Sequence, residues 1–378
     1  MTDIVPSSSH KPPRLLPLDA LRGLIMVLMA LDHANLLIAQ QHSPGEYWGG
    51  PFPAYDSALA FLTRVVTHLC ALGFFFLMGA GMMLFATFRR EQGWSKWAIA
   101  RHFFLRGGLL IALQLLVVNR IWELSPGGWG LEIYIGVLFA LGGAMILGSS
   151  LVWLTPQFLL PLAAVPILGT ELLTPDPGQW NQAFEPLARL LLIPGGNRQL
   201  WVNYPVLPWL GLVIFGMAFG HWLVDNPGKA FKRALGLGAV FILAFAALRI
   251  LDGFGNIRPR AGDTWIDFFN VVKYPPSITF TLLTMGVNLT MLGLLARAGG
   301  KPQQLLQPLA VFGRTPLFFY LAHLFLYVGH GRWLTPGGTS IPQMVPCWLL
   351  SLLALYPLCL GYGRLKLRQS TNSILRFF

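Results

Sequence analysis

Charge is what this sequence has least of. Only 11% of its residues are Asp, Glu, Lys or Arg, whereas 54% are hydrophobic. A soluble globular domain carries about 25% charged residues, so composition excludes that class. Cysteine is also scarce. Cys70, Cys347 and Cys359 are an odd number without CxxC spacing, which leaves them as small buried hydrophobes rather than a disulfide framework or zinc site. Acids are outnumbered by bases, giving a net charge of +12. That excess does not signal nucleic acid, because no RRM, zinc-finger or helix-turn-helix pattern accompanies it. GxSxG, HExxH, Walker and GxGxxG signatures are missing, and His33, His42, His68 and His102 have no metal-ligand spacing. No metal is expected. Nor is there a repeat with a period of about 20–50 residues.

Long apolar runs fill the space that charge leaves. Segments of about 20 such residues recur along the chain, the length needed to cross a bilayer. They predict an all-α polytopic helical bundle of about ten spans, near 16–39, 57–87, 99–118, 131–148, 151–171, 205–224, 233–251, 276–298, 305–329 and 344–363. The second is too long for a perpendicular crossing and must tilt or include an interfacial turn. Little more than Ser149 and Ser150 separates the fourth from the fifth. The first apolar run contains charges and lacks a small-residue cleavage site, so it reads as a retained helix, not a signal peptide. Residues 1–378 read as one domain, with 1–13 a disordered cytoplasmic lead-in.

Basic residues cluster in short connections: Arg89, Arg90, Lys96 and Arg101; Lys229, Lys232 and Arg233; Arg297 and Lys301; Arg364, Lys366 and Arg368. With ten spans all fall on the side of both termini, which the positive-inside rule makes cytoplasmic. The longer segments 40–56, 172–204, 252–275 and 330–343 face outward, where loops can grip an external substrate.

The first span carries Asp19, Arg22, Asp32 and His33. Ionisable groups inside a membrane helix face a protein interior or cavity and mark function. At about 100° per residue, Arg22 and His33 lie about 20° apart around the helix, with Asp19 on the same stripe. Asp32 points about 100° away from His33. Imidazole titrates near neutrality and can take and return a proton, so His33 is the first candidate base, weighed evenly against a structural histidine. It lies near the loop bearing His42, Glu46 and Trp48. On the second span Arg64 and His68 share a face, either lining the same cavity or gluing helices together. Arg101, His102 and Arg106 open the third span at the cytoplasmic edge. They suit the phosphates of a nucleotide-bearing donor or simply set topology. Asn203, Tyr204 and Trp209 lead into span six, where aromatics and an amide suit a sugar or a membrane interface. On span nine, Arg314 and His323 are nine apart and fall on opposite faces of a regular helix, although Pro316 is placed to kink it. The same buried charges would also serve a proton-coupled or substrate transporter, but the paired broken helices of inverted repeats are not evident.

Arg14, Asp19, Arg22 and His33 match, in register, the opening motif of the transmembrane acyltransferase superfamily. Leu-Asp-Ala-Leu-Arg-Gly, Thr-His-Leu-Cys-Ala, the Tyr204 to Trp209 entry, Tyr-Pro-Pro-Ser and Gly-Arg-Thr-Pro-Leu-Phe-Phe-Tyr-Leu-Ala-His resemble, more narrowly, a bacterial branch. That branch is related to the heparan-α-glucosaminide N-acetyltransferase catalytic domain. The landmarks run from residue 14 to about 323. The resemblance implies a multi-pass protein of the bacterial inner membrane, surrounded by lipid, with room for a homodimer. It would move an acyl group, acetyl above all, from cytoplasmic acyl-CoA to a glycan or small sugar across the membrane. Arg14, Arg101, His102, Arg106 and Arg314 would meet the donor. Asp32, Glu46, Trp48, Asn203, Tyr204, Trp209 and His323 would meet the acceptor. His33 corresponds to the superfamily's catalytic histidine, supported by Asp19, Arg22 and His68. The heparan branch instead has asparagine there and a catalytic histidine in the following loop, near His42.

Overall fold

In hydrocarbon no water satisfies a backbone N–H or C=O, so an apolar chain crosses as helices. The computed structural model, which describes residues 15–42, 45–298, 304–369, 373 and 375, is built that way. Its helices are α1 (Leu16–Ala34), α2 (Ala58–Thr67), α3 (Leu69–Glu91), α4 (Lys96–Leu113), α5 (Asn119–Glu123), α6 (Val137–Gly148), α7 (Pro156–Leu173), α8 (Pro186–Leu191), α9 (Val206–Asp225), α10 (Pro227–Leu251), α11 (Trp265–Phe269), α12 (Ile278–Arg297), α13 (Gln307–Arg314), α14 (Pro316–Trp333) and α15 (Ile341–Arg368). Arg14 and Lys301 lie outside the described residues.

Among the described residues, eight helical stretches are long and apolar enough to cross a membrane, and α13 with α14 makes a ninth. The protein is an all-α, multi-pass membrane protein. Helix starts follow local chemistry: Ser57, Ser95 and Ser277 accept backbone N–H bonds at the heads of α2, α4 and α12. Ser340 and Gln343 form a capping box at α15. Large apolar side chains such as Leu116, Leu243 and Leu353 stand about 70% exposed, turned outward as lipid requires.

Several boundaries differ from the sequence expectation. The second span is interrupted at His68, where α2 gives way to α3. The third continues to Glu123 through a π-helical turn, Gln114–Val118. The seventh begins at Pro227, which suits a first helical position. The fourth is short, because β1 (Ile133–Ile135) precedes α6. β1 pairs in parallel with β3 (Leu200–Val202), and β3 pairs antiparallel with β2 (Gly195–Gly196). A small sheet thus takes the start of the expected fourth span, 131–148, into a connection and joins it to the outer segment 172–204.

Span nine departs most. α13 and α14 meet at 89°. Proline has no N–H to give and pushes its predecessor out of the helical region; Thr315 sits at φ −129°, ψ 47° before Pro316. The helical-wheel separation of Arg314 from His323 therefore does not apply, since they occupy two helices. α13 packs tightly on α1. A Cβ on Gly23 would stand 1.8 Å from the Leu309 carbonyl oxygen, and one on Gly313 would stand 1.9 Å from that of Asp19.

Four connections converge at one end of the bundle. Tyr47 bridges to Tyr274, Trp48 Nε1 donates to the Pro194 carbonyl, Arg258 donates to the Gly50 carbonyl, and Gln40 and Gln41 donate to Thr335 and Thr339.

Candidate active site

Two polar clusters lie along α1, one near each end. At the start of α1, Asp19 accepts from Arg22 (3.4 Å) and from Arg314 Nε (3.2 Å), while Arg22 also donates to the Gly313 carbonyl (3.1 Å). The bend at Thr315 delivers Arg314 here. Half-buried Arg106 lies within electrostatic range of Arg22 and has no acid partner among the described residues. Arg101 is exposed, and the His102 ring stacks on Phe85 at 4.2 Å.

At the other end, His33 Nδ1 lies 2.7 Å from His323 Nε2, with the two rings nearly coplanar at 10°. His323 Nδ1 lies 2.9 Å from the Phe319 carbonyl oxygen. A carbonyl only accepts, so this nitrogen carries the proton and His323 Nε2 carries the lone pair. His33 must then donate through Nδ1. Its Nε2 is left with a lone pair and no hydrogen bond among the described residues. Trp122 and Tyr320 contact the His33 ring edge-on at 5.6 and 6.2 Å. The stripe read from residue spacing is real geometry: Asp19, Arg22 and His33 all face α13 and α14.

Asp32 faces elsewhere, as its angle requires. It accepts from Arg64 Nη1 (2.9 Å) and Thr67 (2.8 Å) and lies 3.3 Å from His42 Nε2. Arg64 also grips Glu46 through Nε (2.8 Å) and Nη2 (2.7 Å), and His68 Nε2 lies 3.1 Å from the same carboxylate. Burial would raise the Glu46 carboxyl, but Arg64 and His68 outweigh it and hold it well below the ordinary value of 4.5. Through this network Asp32 ties α1 to α2, and Glu46 ties the first outer loop to both.

These positions place several of the residues singled out from the sequence in packed surroundings. His68 is 1% exposed and pairs with Glu46, so it braces the network. Glu46 is fully buried among Arg64, His68 and Tyr55. Trp48 is fully buried in a small outer core with Ile193 and Val272. Trp209, equally buried, stacks on Phe75 at 5.0 Å. Neither indole is free to stack on a sugar. Asn203 binds the hydroxyls of Tyr47 and Tyr134, and Tyr204 shares a hydrogen bond with Tyr274 (3.2 Å). Half-buried Trp180 and Trp201 complete this aromatic wall beside Tyr47. A cleft of about 370 Å³ is lined by Glu123, Ser125, Gly128 and Arg332; Ser125 Oγ donates to the carbonyl of Trp122, the residue against His33. No group of His, Cys, Asp and Glu among the described residues could hold a metal.

Sequence reasoning missed the pairing of His33 with His323 and the place of Lys273. The lysine is 4% exposed and has no carboxylate partner among the described residues. Its signal was available: a lysine on the outer, lysine-poor side of the membrane needs a reason beyond topology.

Comparison with known proteins agrees with this architecture. Residues 14–253 match the family model described as heparan-alpha-glucosaminide N-acetyltransferase, catalytic. Human heparan-alpha-glucosaminide N-acetyltransferase is 29% identical over 143 residues, 37% of this chain and 20% of the human protein. The chain thus matches about a fifth of that relative's length. With 240 of its 378 residues under the family model, the chain belongs to the heparan-alpha-glucosaminide N-acetyltransferase catalytic-domain family of membrane acyltransferases.

Proposed function

We propose that the protein transfers an acyl group, acetyl in the first instance, from cytoplasmic acyl-CoA to a sugar hydroxyl or amine at the opposite membrane face. The observation that carries this reading is the free Nε2 of His33, held in one tautomer by His323 and the Phe319 carbonyl. An imidazole so fixed is a general base with its lone pair aimed and its other nitrogen braced. The acyl thioester is a substrate and brings an activated carbonyl. Arg22, Arg106 and Arg314 fit its phosphates: Arg22 and Arg314 share one carboxylate, Asp19, and Arg106 beside Arg22 has no acid partner among the described residues.

In the transfer, His33 Nε2 takes the proton from the acceptor O–H or N–H as that oxygen or nitrogen bonds to the acyl carbon. The C–S bond then breaks, its electron pair leaves with sulfur, and His33 returns the proton to the thiolate. His33 ends as it began. His42 is a weaker candidate for this role because its Nε2 is engaged with Asp32.

The test is acetyl transfer by purified protein from labelled acetyl-CoA to a panel of amino sugars and neutral sugars. His33→Ala should lower turnover by about 10²–10⁴-fold, the range of a lost general base, whereas His42→Ala should retain most of it. The opposite ranking transfers the base to His42, and an inactive wild type removes the acyltransferase reading.

A further inference from the structure

Lys273 is a cation in an unusual position. It belongs to the turn before α12, where its backbone N–H and that of Tyr274 donate to the Glu46 carbonyl, each at 2.9 Å. Its ammonium lies 5.0 Å from the centre of the Tyr274 ring. It is within electrostatic range of Asp32 and His33 at the outer end of α1, and of His68 and Cys70 around the start of α3. At 4% exposure it has lost nearly all its water. Asp32 and Glu46 are nearby, but both are already bound by Arg64. A desolvated ammonium without a hydrogen-bonding anion is unfavourable and calls for one.

Charge counting indicates which anion. With the histidines neutral, Asp32 and Glu46 balance Arg64 and Lys273. A permanently charged ligand would leave this buried group net negative. An oxyanion formed during transfer would not, because His33 becomes positive in the same step.

We propose that Lys273 donates to the acyl carbonyl oxygen as negative charge collects on it, which makes Lys273 a catalytic residue of the transfer. The assignment rests on the acyltransferase reading above. As the acceptor attacks, the carbonyl π pair moves to oxygen, which accepts from the ammonium. The pair returns when the C–S bond breaks, so Lys273 neither gains nor loses a proton overall.

The experiment compares wild type, Lys273→Met and Lys273→Arg, with acetyl-CoA as donor and glucosamine or a carboxylate-bearing amino sugar as acceptor. Lys273→Met should lower kcat about 10²–10³-fold for both acceptors, the scale of a lost oxyanion donor, with each KM within about threefold. Lys273→Arg, which keeps the charge but misplaces the donor, should fall between. A loss confined to KM for the carboxylate-bearing acceptor would make Lys273 an acceptor-recognition group and overturn the proposal, as would unchanged kcat. Should Lys273→Met not fold, Lys273→Cys alkylated with bromoethylamine, in a Cys347→Ser background, replaces it. Restoration of kcat by that amine supports the assignment, and failure to restore it refutes it. If wild type transfers to no acceptor, the functional reading fails first and takes this one with it; if wild type is active and Lys273→Met is equally active, only the lysine assignment falls.

Discussion

Arg64 holds two carboxylates at once, and its 3% exposure sets the scale of what its loss would do. Removing one partner of a buried ion pair leaves an uncompensated charge and costs about 3–5 kcal/mol. Arg64→Met should therefore lower the thermal midpoint in detergent by several degrees, and Asp32→Asn with Glu46→Gln in the same chain should restore part of it. Glu46 also gives a pH signature. Its folded-state carboxyl lies well below 4.5, so its contribution is complete above that pH and is lost only as pH falls through the lower folded value. Thermal midpoints measured from pH 7 downward should show an acid-side decline below about pH 4.5 that Glu46→Gln flattens. In the proposed transfer, His323 acts through His33 as a positioning residue. His323→Phe should reduce kcat by about 10–100-fold, the range seen when an orienting partner is removed, with donor KM little changed. His323→Gln, whose amide oxygen can still accept from His33 Nδ1, should recover part of the rate. A fall in KM and kcat alike would mean that His323 only packs.

At the scale of elements, the site exists because α1 continues without a break while its neighbour is bent. Pro316 ends α13 and starts α14 at 89°, so one residue stretch supplies Arg314 to one polar cluster and His323 to the other. The contact that sets their spacing is backbone against backbone at Gly23 and Gly313. Gly313→Ala would place a methyl 1.9 Å from the Asp19 carbonyl oxygen and must push α13 off α1. Overpacking of this kind costs about 1–3 kcal/mol. It should also weaken donor binding, because Arg22 loses the Gly313 carbonyl and Arg314 moves from Asp19. Calorimetric titration with CoA would register that loss separately from stability.

At the scale of the molecule, hydrogen bonds between loops constrain how many times the chain crosses. β1 and β3 pair, so the connections after α5 and α7 lie at the same end. α6 and α7 must then run away and back, even though α6, at 12 residues and about 1.5 Å per residue, is short for a bilayer of about 30 Å. On this parity we propose that α6 adds a tenth pass to the nine candidate spans. In intact cells an impermeant maleimide should label Gln179→Cys, whereas Glu91→Cys and Ser150→Cys should react only after permeabilisation. Labelling of Ser150→Cys from outside would break the ten-pass scheme.

Length, hydropathy and the spacing of Asp19, Arg22, Asp32 and His33 were enough to establish an all-helical membrane bundle, its approximate spans and a polar stripe on α1. Those features are local: burial in lipid dictates helix, and helix dictates which residues share a face. What the stripe meets is not local. The 89° bend, the partner of each histidine, the withdrawal of Trp48, Trp209 and Glu46 into packed interiors, and the stranded ammonium of Lys273 all depend on contacts between residues tens to hundreds of positions apart. Only the tertiary structure decided them, because a helical wheel specifies direction but not the neighbour that lies in that direction.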